Sequence, residues 1–339
     1  LTYPTADSPR IRVRDLLSHL GGFVTDDPWG DRQQVMTEAE FTAFLEGGVP
    51  FTRAPQTAFE YSNFGYALLG RIVTQASGRP YKDYIEQEIM QPLGMTSSGY
   101  DVFASDQDRR ALGYRWENDA WSREPDMVHG VFGAMGGVQT SANDYAKWIA
   151  FLLSAWPARD DPDTGPVRRS TVREMAQGLN FVSGRNRTTA DGKPCAVATA
   201  YTKGLIAGND CELGAYLTHG GGYPGYGSNM ILAPERGLGV FSFANRTYAG
   251  PGPVTFDAAA KLAVSGVAPA RTLPVSPALT TAYADLGRIW AAGDVAVAQD
   301  RLAMNVLMDR SVDNWRTVLA ALKADSGACA TEAPPTATG

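Results

Sequence analysis

Little in this sequence suits a membrane, a nucleic acid or a metal. The longest strongly apolar run, WIAFLLSAW at 148–156, is far shorter than the roughly 20 residues a helix needs to cross a bilayer, so no membrane span is expected. There are three histidines and three cysteines, with no C-x-x-C pair. Zinc sites are built from clusters of those residues, and neither a metal site nor a cofactor is expected. Lys and Arg total 30 against 36 Asp and Glu, a net charge of −6 with no basic block. Such a field repels polyanions, so no nucleic-acid partner is expected and a small neutral or modestly charged substrate is favoured.

The 339 residues are 44% hydrophobic, enough for a sizeable core and for more than one domain. The opening LTYPTADSPRIRVRD has neither an initiator methionine nor the charged-then-apolar pattern of a signal peptide, and it reads as the middle of a protein. SPRIRVRDLLSHLGG at 8–22 spaces Ile11, Val13, Leu16, Leu17 and Leu20 as a short helix stopped by Gly21 and Gly22. Phe41, Phe44 and Leu45 mark a second helix. From Phe64 the apolar positions 64, 67, 68, 72 and 73 share a helical face, Gly78 closes that helix, and Pro80 starts another that ends before Pro92. Ser141 caps a strong helix from about 143 to 155. Residues up to about 180 are therefore expected to be helices and loops.

The texture changes near Ala196. AVATAYTKGLIAG, CELGAYLTHGG, GSNMILAPERG and LGVFSFANR alternate or run apolar over strand lengths between turn formers. This predicts an antiparallel meander, covered on one face by a helix at about 254–265, and so an α+β architecture. GVAPARTLPVSP at 266–277 is a Pro-rich linker. Beyond it, 278–324 has helix-forming composition with Leu302, Val306, Leu307, Trp315, Leu319 and Leu322 as its apolar positions, and EAPPTATG at the end has the composition of a disordered tail.

Two stretches carry candidate chemistry. FEYSNFGYALLGRIV at 59–73 places Tyr61 and Asn63 two residues apart at the mouth of a helix, with Ser62 as an ordinary N-cap. AYLTHGGGYPGYGSNM at 215–230 ends a predicted strand in His219 followed by three glycines. Each alone reads as a helix start and a turn.

Together, the Tyr-Ser-Asn corner and the strand-end His-Gly-Gly-Gly resemble two of three signatures of the serine β-lactamase and penicillin-binding-protein family, in the branch related to class C β-lactamases, esterases and D-amino acid peptidases. IRVRDLLSHLGG, YIEQEIMQPLGM and GAMGGVQTSANDYAKW resemble further segments of that family in its order, over about residues 8–266. The resemblance implies a β-lactamase/transpeptidase-like domain over 1–268, with a helical region at about 8–180 and a sheet region at about 196–266. Residues 269–277 then link it to a helical extension over 278–339.

The third signature, a nucleophilic Ser-x-x-Lys, is missing: no Ser in the chain has Lys three positions later. With the abrupt start, this leads us to expect a fragment that begins after its nucleophile, incomplete at its N-terminus. In the family, N-terminal strands complete the sheet, so an open sheet edge is expected, with the missing segment as a possible separate polypeptide partner.

The resemblance implies acyl transfer on a small ester or amide through an acyl-enzyme. Tyr61 takes the general-base role, aided by the motif Lys because a phenol of pKa near 10 is a poor base at neutral pH. Asn63 donates to the substrate carbonyl and accepts from that Lys. His219 stands at the strand edge, Gly221 lets substrate approach the backbone, and the N–H of Gly222 is an oxyanion donor. The alternative is a catalytically inactive relative that keeps the cleft for ligand binding.

The remaining histidines read more plainly. His19 is expected to be a structural hydrogen bonder, and His129 is expected to be one too, with the substrate cleft as its other possible place. The DDPWGD loop reads as a solvated turn, with Trp29 as a possible cleft wall. Relatives of this fold usually act outside the cytoplasm, which implies a periplasmic or secreted protein. On that ground Cys195 and Cys211, either side of a predicted strand at 201–207, are expected to form a disulfide, leaving Cys329 over.

Overall fold

A computed structural model describes residues 1–25, 34–105, 107–271 and 275–327. The chain divides into two compact units, Leu1–Ala270 and Arg271–Gly339. DDPWGD with Trp29, the tail EAPPTATG and Cys329 lie outside the described residues.

The first unit begins with helices α1 (Val13–Leu17), α2 (Glu38–Gly47), α3 (Asn63–Ser77) and α4 (Tyr81–Ile85). Each end has a local cause. Thr37 and Glu40 form a capping box ahead of α2. The Ser62 hydroxyl accepts the N–H of Gly65 at 3.3 Å to start α3. Gly78 ends α3 in the left-handed conformation, which only glycine adopts without penalty. α1 is shorter than its apolar spacing suggests, because His19 turns left-handed at φ 56° and breaks the pattern. Leu16, Phe23, Phe41, Phe64 and Phe132 make the core among these helices, and Phe41, Phe64 and Phe132 are wholly buried.

A hairpin of β1 (Tyr114–Glu117) and β2 (Ala120–Arg123) interrupts the stretch expected to be only helices and loops. Asn118 and Asp119 both have positive φ, the I′ geometry that matches strand twist. Its strands are four residues each and largely exposed, so the alternation of Tyr114 and Trp116 with Arg115 and Glu117 is too short to announce a strand. Helices α5 (Ala142–Leu153), capped by Ser141, and α6 (Arg169–Met175) follow.

A six-stranded antiparallel sheet then runs in simple chain order: β3 (Asn180–Thr188), β4 (Pro194–Tyr201), β5 (Ile206–Asp210), β6 (Gly214–Tyr223), β7 (Tyr226–Ala233) and β8 (Leu238–Ala244). The meander is the one expected, but the sheet starts one strand earlier than the change near Ala196. β3 is mostly exposed and polar (NFVSGRNRT), so its composition does not announce a strand. Leu217, Met230 and Leu232 pack on Ile149, Leu152 and Leu153 of α5. Val197, Tyr216 and Ile231 pack on Ala259 and Ala263 of α7 (Gly252–Val264), close to the helix expected at 254–265. Among the described residues β8 ends the sheet, paired only with β7.

Cys195 of β4 and Cys211, in the turn after β5, form a disulfide, as the sequence analysis expected. Beside it Arg187 makes a bidentate pair with the buried Asp210 and reaches Glu212. A bridge over a 16-residue separation is worth about 3 kcal/mol. Cys195→Ser with Cys211→Ser should lower the unfolding free energy by about that amount in urea titration. Thiol counting on denatured, unreduced protein should find Cys329 alone, and three free thiols would refute the bridge.

In the second unit, α8 (Pro277–Ala292), α9 (Met304–Asp309) and α10 (Val312–Ser326) enclose a small core of Ile289, Val295, Ala298 and Leu319.

Candidate active site

The two sequence corners meet in the first unit. Tyr61 ends the loop into α3, and its ring lies 6.4 Å from that of His219 on β6. Asn63 is the first residue of α3, half-buried, one position after the cap. The capping turn fixes where both side chains project.

β6 is unusual within its sheet. Its pairing with β5 stops at Thr218 opposite Ile206, while pairing with β7 continues through His219, Gly220, Gly221 and Gly222 to Tyr223 opposite Tyr226. Beyond Thr218 the strand therefore has no β5 partner, and Gly220, Gly221 and Gly222 are exposed. The two-residue turn makes Tyr223 and Tyr226 the hydrogen-bonded closing pair, and alternation of the ladder turns the N–H of Gly222 away from β7, toward the open side. A Cβ on Gly221 would fall 2.5 Å from the Ser228 hydroxyl, and one on Gly222 would fall 3.1 Å from the ring of Tyr248. Both positions therefore favour glycine, and of the two only the N–H of Gly222 faces the open side.

Behind this edge lies a buried aromatic cluster. The backbone N–H of Ser62 donates to Nδ1 of His19 at 3.1 Å. The His19 ring lies 4.2 Å from Tyr61 and 4.5 Å from Tyr201. Its Nδ1 accepts, so the neutral ring carries its proton on Nε2, which is buried without a partner among the described residues. Burial, with a smaller push from His219, lowers the His19 pKa to about 3. His19 is thus a structural hydrogen bonder, as expected, but it stands in the loop after α1 and holds the Tyr-Ser-Asn corner.

Tyr201 ends β4 and is 1% exposed. Its hydroxyl lies 3.2 Å from Nε2 of His219, while Nδ1 of His219 lies 2.7 Å from the carbonyl oxygen of Gly220. Burial lowers the His219 pKa, opposed by the Gly220 hydrogen bond. Tyr201 lies in neither sequence motif. In AVATAYTKG it looks like one more apolar strand position, and only the turn from β4 to β5 brings it to His219.

His129 places Nδ1 2.9 Å from Oε1 of the buried Gln34 and its ring 6.1 Å from Tyr223, and burial lowers its pKa. It borders the end of β6. Among the described residues no group of three metal-ligating side chains comes together, and no helix is long and apolar enough to cross a membrane.

A six-stranded antiparallel sheet flanked by helices, with Tyr61 and His219 brought to one end of β6, is a β-lactamase/transpeptidase-like fold. The chain belongs to the β-lactamase family, whose profile matches residues 2–264. It is 25% identical over 265 residues to the "Unguisins hydrolase ungD" of Aspergillus violaceofuscus, covering 72% of this chain and 44% of that protein. Among solved structures it resembles the octameric penicillin-binding protein homologue from Pyrococcus abyssi, with a TM-score of 0.60 and 25% identity over 74% of this chain and 57% of that one. The D-stereospecific amidohydrolase from Streptomyces sp. shares the fold, with a TM-score of 0.56 and 20% identity over 76% of this chain and 73% of that one. The chain spans about half the length of the curated relatives it matches, between 44% and 61% in the first three.

Proposed function

We propose that this chain carries the proton-handling and substrate-binding part of a serine hydrolase that acts through an acyl-enzyme on a small ester or amide. The observation that carries the reading is the meeting of Tyr61 and His219, with Asn63 one cap away, at the unpaired edge of β6. In this reading a Ser from a Ser-x-x-Lys segment, supplied ahead of Leu1 or by a separate polypeptide, attacks the carbonyl. Tyr61 removes the Ser proton, assisted by the motif Lys, and returns it to the leaving group. The Gly222 N–H stabilises the oxyanion, Asn63 holds the substrate carbonyl side, and Gly221 leaves room for the acyl chain. The disulfide fits a secreted or periplasmic setting.

His219 bears on the substrate's charge. A Lys at such an edge stays cationic throughout the neutral range, whereas an imidazole pushed below its ordinary 6.5 is neutral at about pH 7.5. A substrate carboxylate therefore finds no lasting cation there. With the Ser-x-x-Lys segment restored, the enzyme should turn over a short-chain nitrophenyl ester faster than a penicillin, and the reverse order would refute the assignment. The second reading is a catalytically inactive relative, whose upstream sequence would lack Ser-x-x-Lys and which binds peptidoglycan-like or other ligands in the same cleft. A fluorophosphonate probe separates the two, since it labels the restored enzyme only if a competent Ser is present.

A further inference from the structure

His219 makes two hydrogen bonds, and their directions are settled by chemistry. A carbonyl oxygen only accepts, so the 2.7 Å contact with Gly220 requires the proton on Nδ1. Nε2 of the neutral ring is then a bare acceptor, and the partner at 3.2 Å is the hydroxyl of Tyr201, which donates. An isolated imidazole has no such restriction.

We propose that Tyr201 is a positioning residue that holds His219 as a neutral imidazole in its Nδ1–H form, so that neither ring nitrogen is left to donate to a ligand's carboxylate at the edge of β6. This rests on the proposed role of that edge and assigns its charge selectivity to a side chain on β4, outside both sequence motifs.

The surroundings agree. The titratable groups facing His219 are Tyr61 from the turn into α3, Tyr201 from β4 and His19 from the segment after α1. Tyr66 of α3 donates its own hydroxyl to the carbonyl of Leu17 at 3.0 Å and is also a hydrogen-bond partner of Tyr201, so its oxygen competes with the stronger acceptor Nε2 of His219 for the Tyr201 proton. None of these is a carboxylate that would draw a proton onto the ring. Tyr201 itself is pushed well above the ordinary tyrosine range, chiefly by burial, and so remains a protonated donor.

The chain has three histidines, so imidazole ¹⁵N–¹H correlation spectra resolve each ring, and His129→Gln aids assignment. At about pH 7.5, His219 should show a protonated Nδ1 and a bare Nε2, with a titration midpoint below about 6.5. Tyr201→Phe removes only the hydroxyl. It should shift the tautomer ratio toward Nε2–H by about fivefold and raise the midpoint by about half to one pH unit. Tyr66→Phe removes the competing acceptor of the Tyr201 proton, so it should leave His219 in the Nδ1–H form and should not raise the midpoint. A wild-type His219 in the Nε2–H form, or a Tyr201→Phe midpoint that falls or stays put, would overturn the assignment. The wild-type tautomer is read without any variant, so the test survives a Tyr201→Phe chain that does not fold. These spectra do not depend on turnover. An inactive restored enzyme would defeat the hydrolase reading alone, and a wrong tautomer would defeat this one alone.

Discussion

Tyr61→Phe, in a longer chain that supplies the Ser-x-x-Lys segment, should slow acylation by roughly 10²–10⁴ while leaving the fold intact, the usual worth of a general acid–base. The Tyr61 ring lies 6.4 Å from that of His219 and 4.2 Å from that of His19. Phe keeps that ring contact, so the variant should stay folded. Asn63→Ala should also slow acylation, by removing a donor that makes no hydrogen bond to the described residues and is therefore available to substrate. If Tyr61 merely packs at a helix start, Phe should preserve nearly full acylation. That result in folded protein would mean the family mechanism does not extend to this chain.

The second large effect needs no upstream segment, because it concerns stability. His19 is neutral in the folded chain with a pKa near 3, chiefly because it is buried, and in the unfolded chain it titrates near 6.5. Between those values the unfolded state binds more protons, so unfolding becomes easier as pH falls. The contribution is fully present above about 6.5 and is lost at about 1.4 kcal/mol per pH unit below it. His19→Asn offers an uncharged acceptor for the Ser62 N–H. The loss of unfolding free energy between pH 7.5 and 4.5, measured in urea, should shrink by about 2.5 kcal/mol in this variant. Equal losses in both proteins would show that His19 is not held neutral. The same variant should loosen the entry to α3, through which His19 holds Tyr61 and Asn63 in place.

What could be read directly from the sequence was what local chemistry decides. Ser62, Gly78 and Ser141 bound their helices through caps that act within a turn, and the apolar face from Phe64 becomes a buried helix whatever surrounds it. The alternation from AVATAYTKG to LGVFSFANR makes strands because burying one face requires period two. The Tyr-Ser-Asn corner and the His-Gly-Gly-Gly strand end were visible as residue types in a pattern. β1, β2 and β3 were not visible, since they are mostly exposed and no burial imposes a period on them.

Only the tertiary structure decided which groups meet. His19 and Ser62 are 43 residues apart, and Tyr201 and His219 are 18 apart. Nothing in either neighbourhood specifies the other partner. Packing the aromatic cluster of Tyr61, Tyr66, Tyr201 and His19 against the end of β6 brings them together. Burial then sets their protonation, because removing a ring from water penalises its charged form. Composition names a histidine at a strand edge, but whether that histidine is a cation, a donor or a neutral acceptor depends on the Gly220 carbonyl and the Tyr201 hydroxyl that the fold places on its two nitrogens.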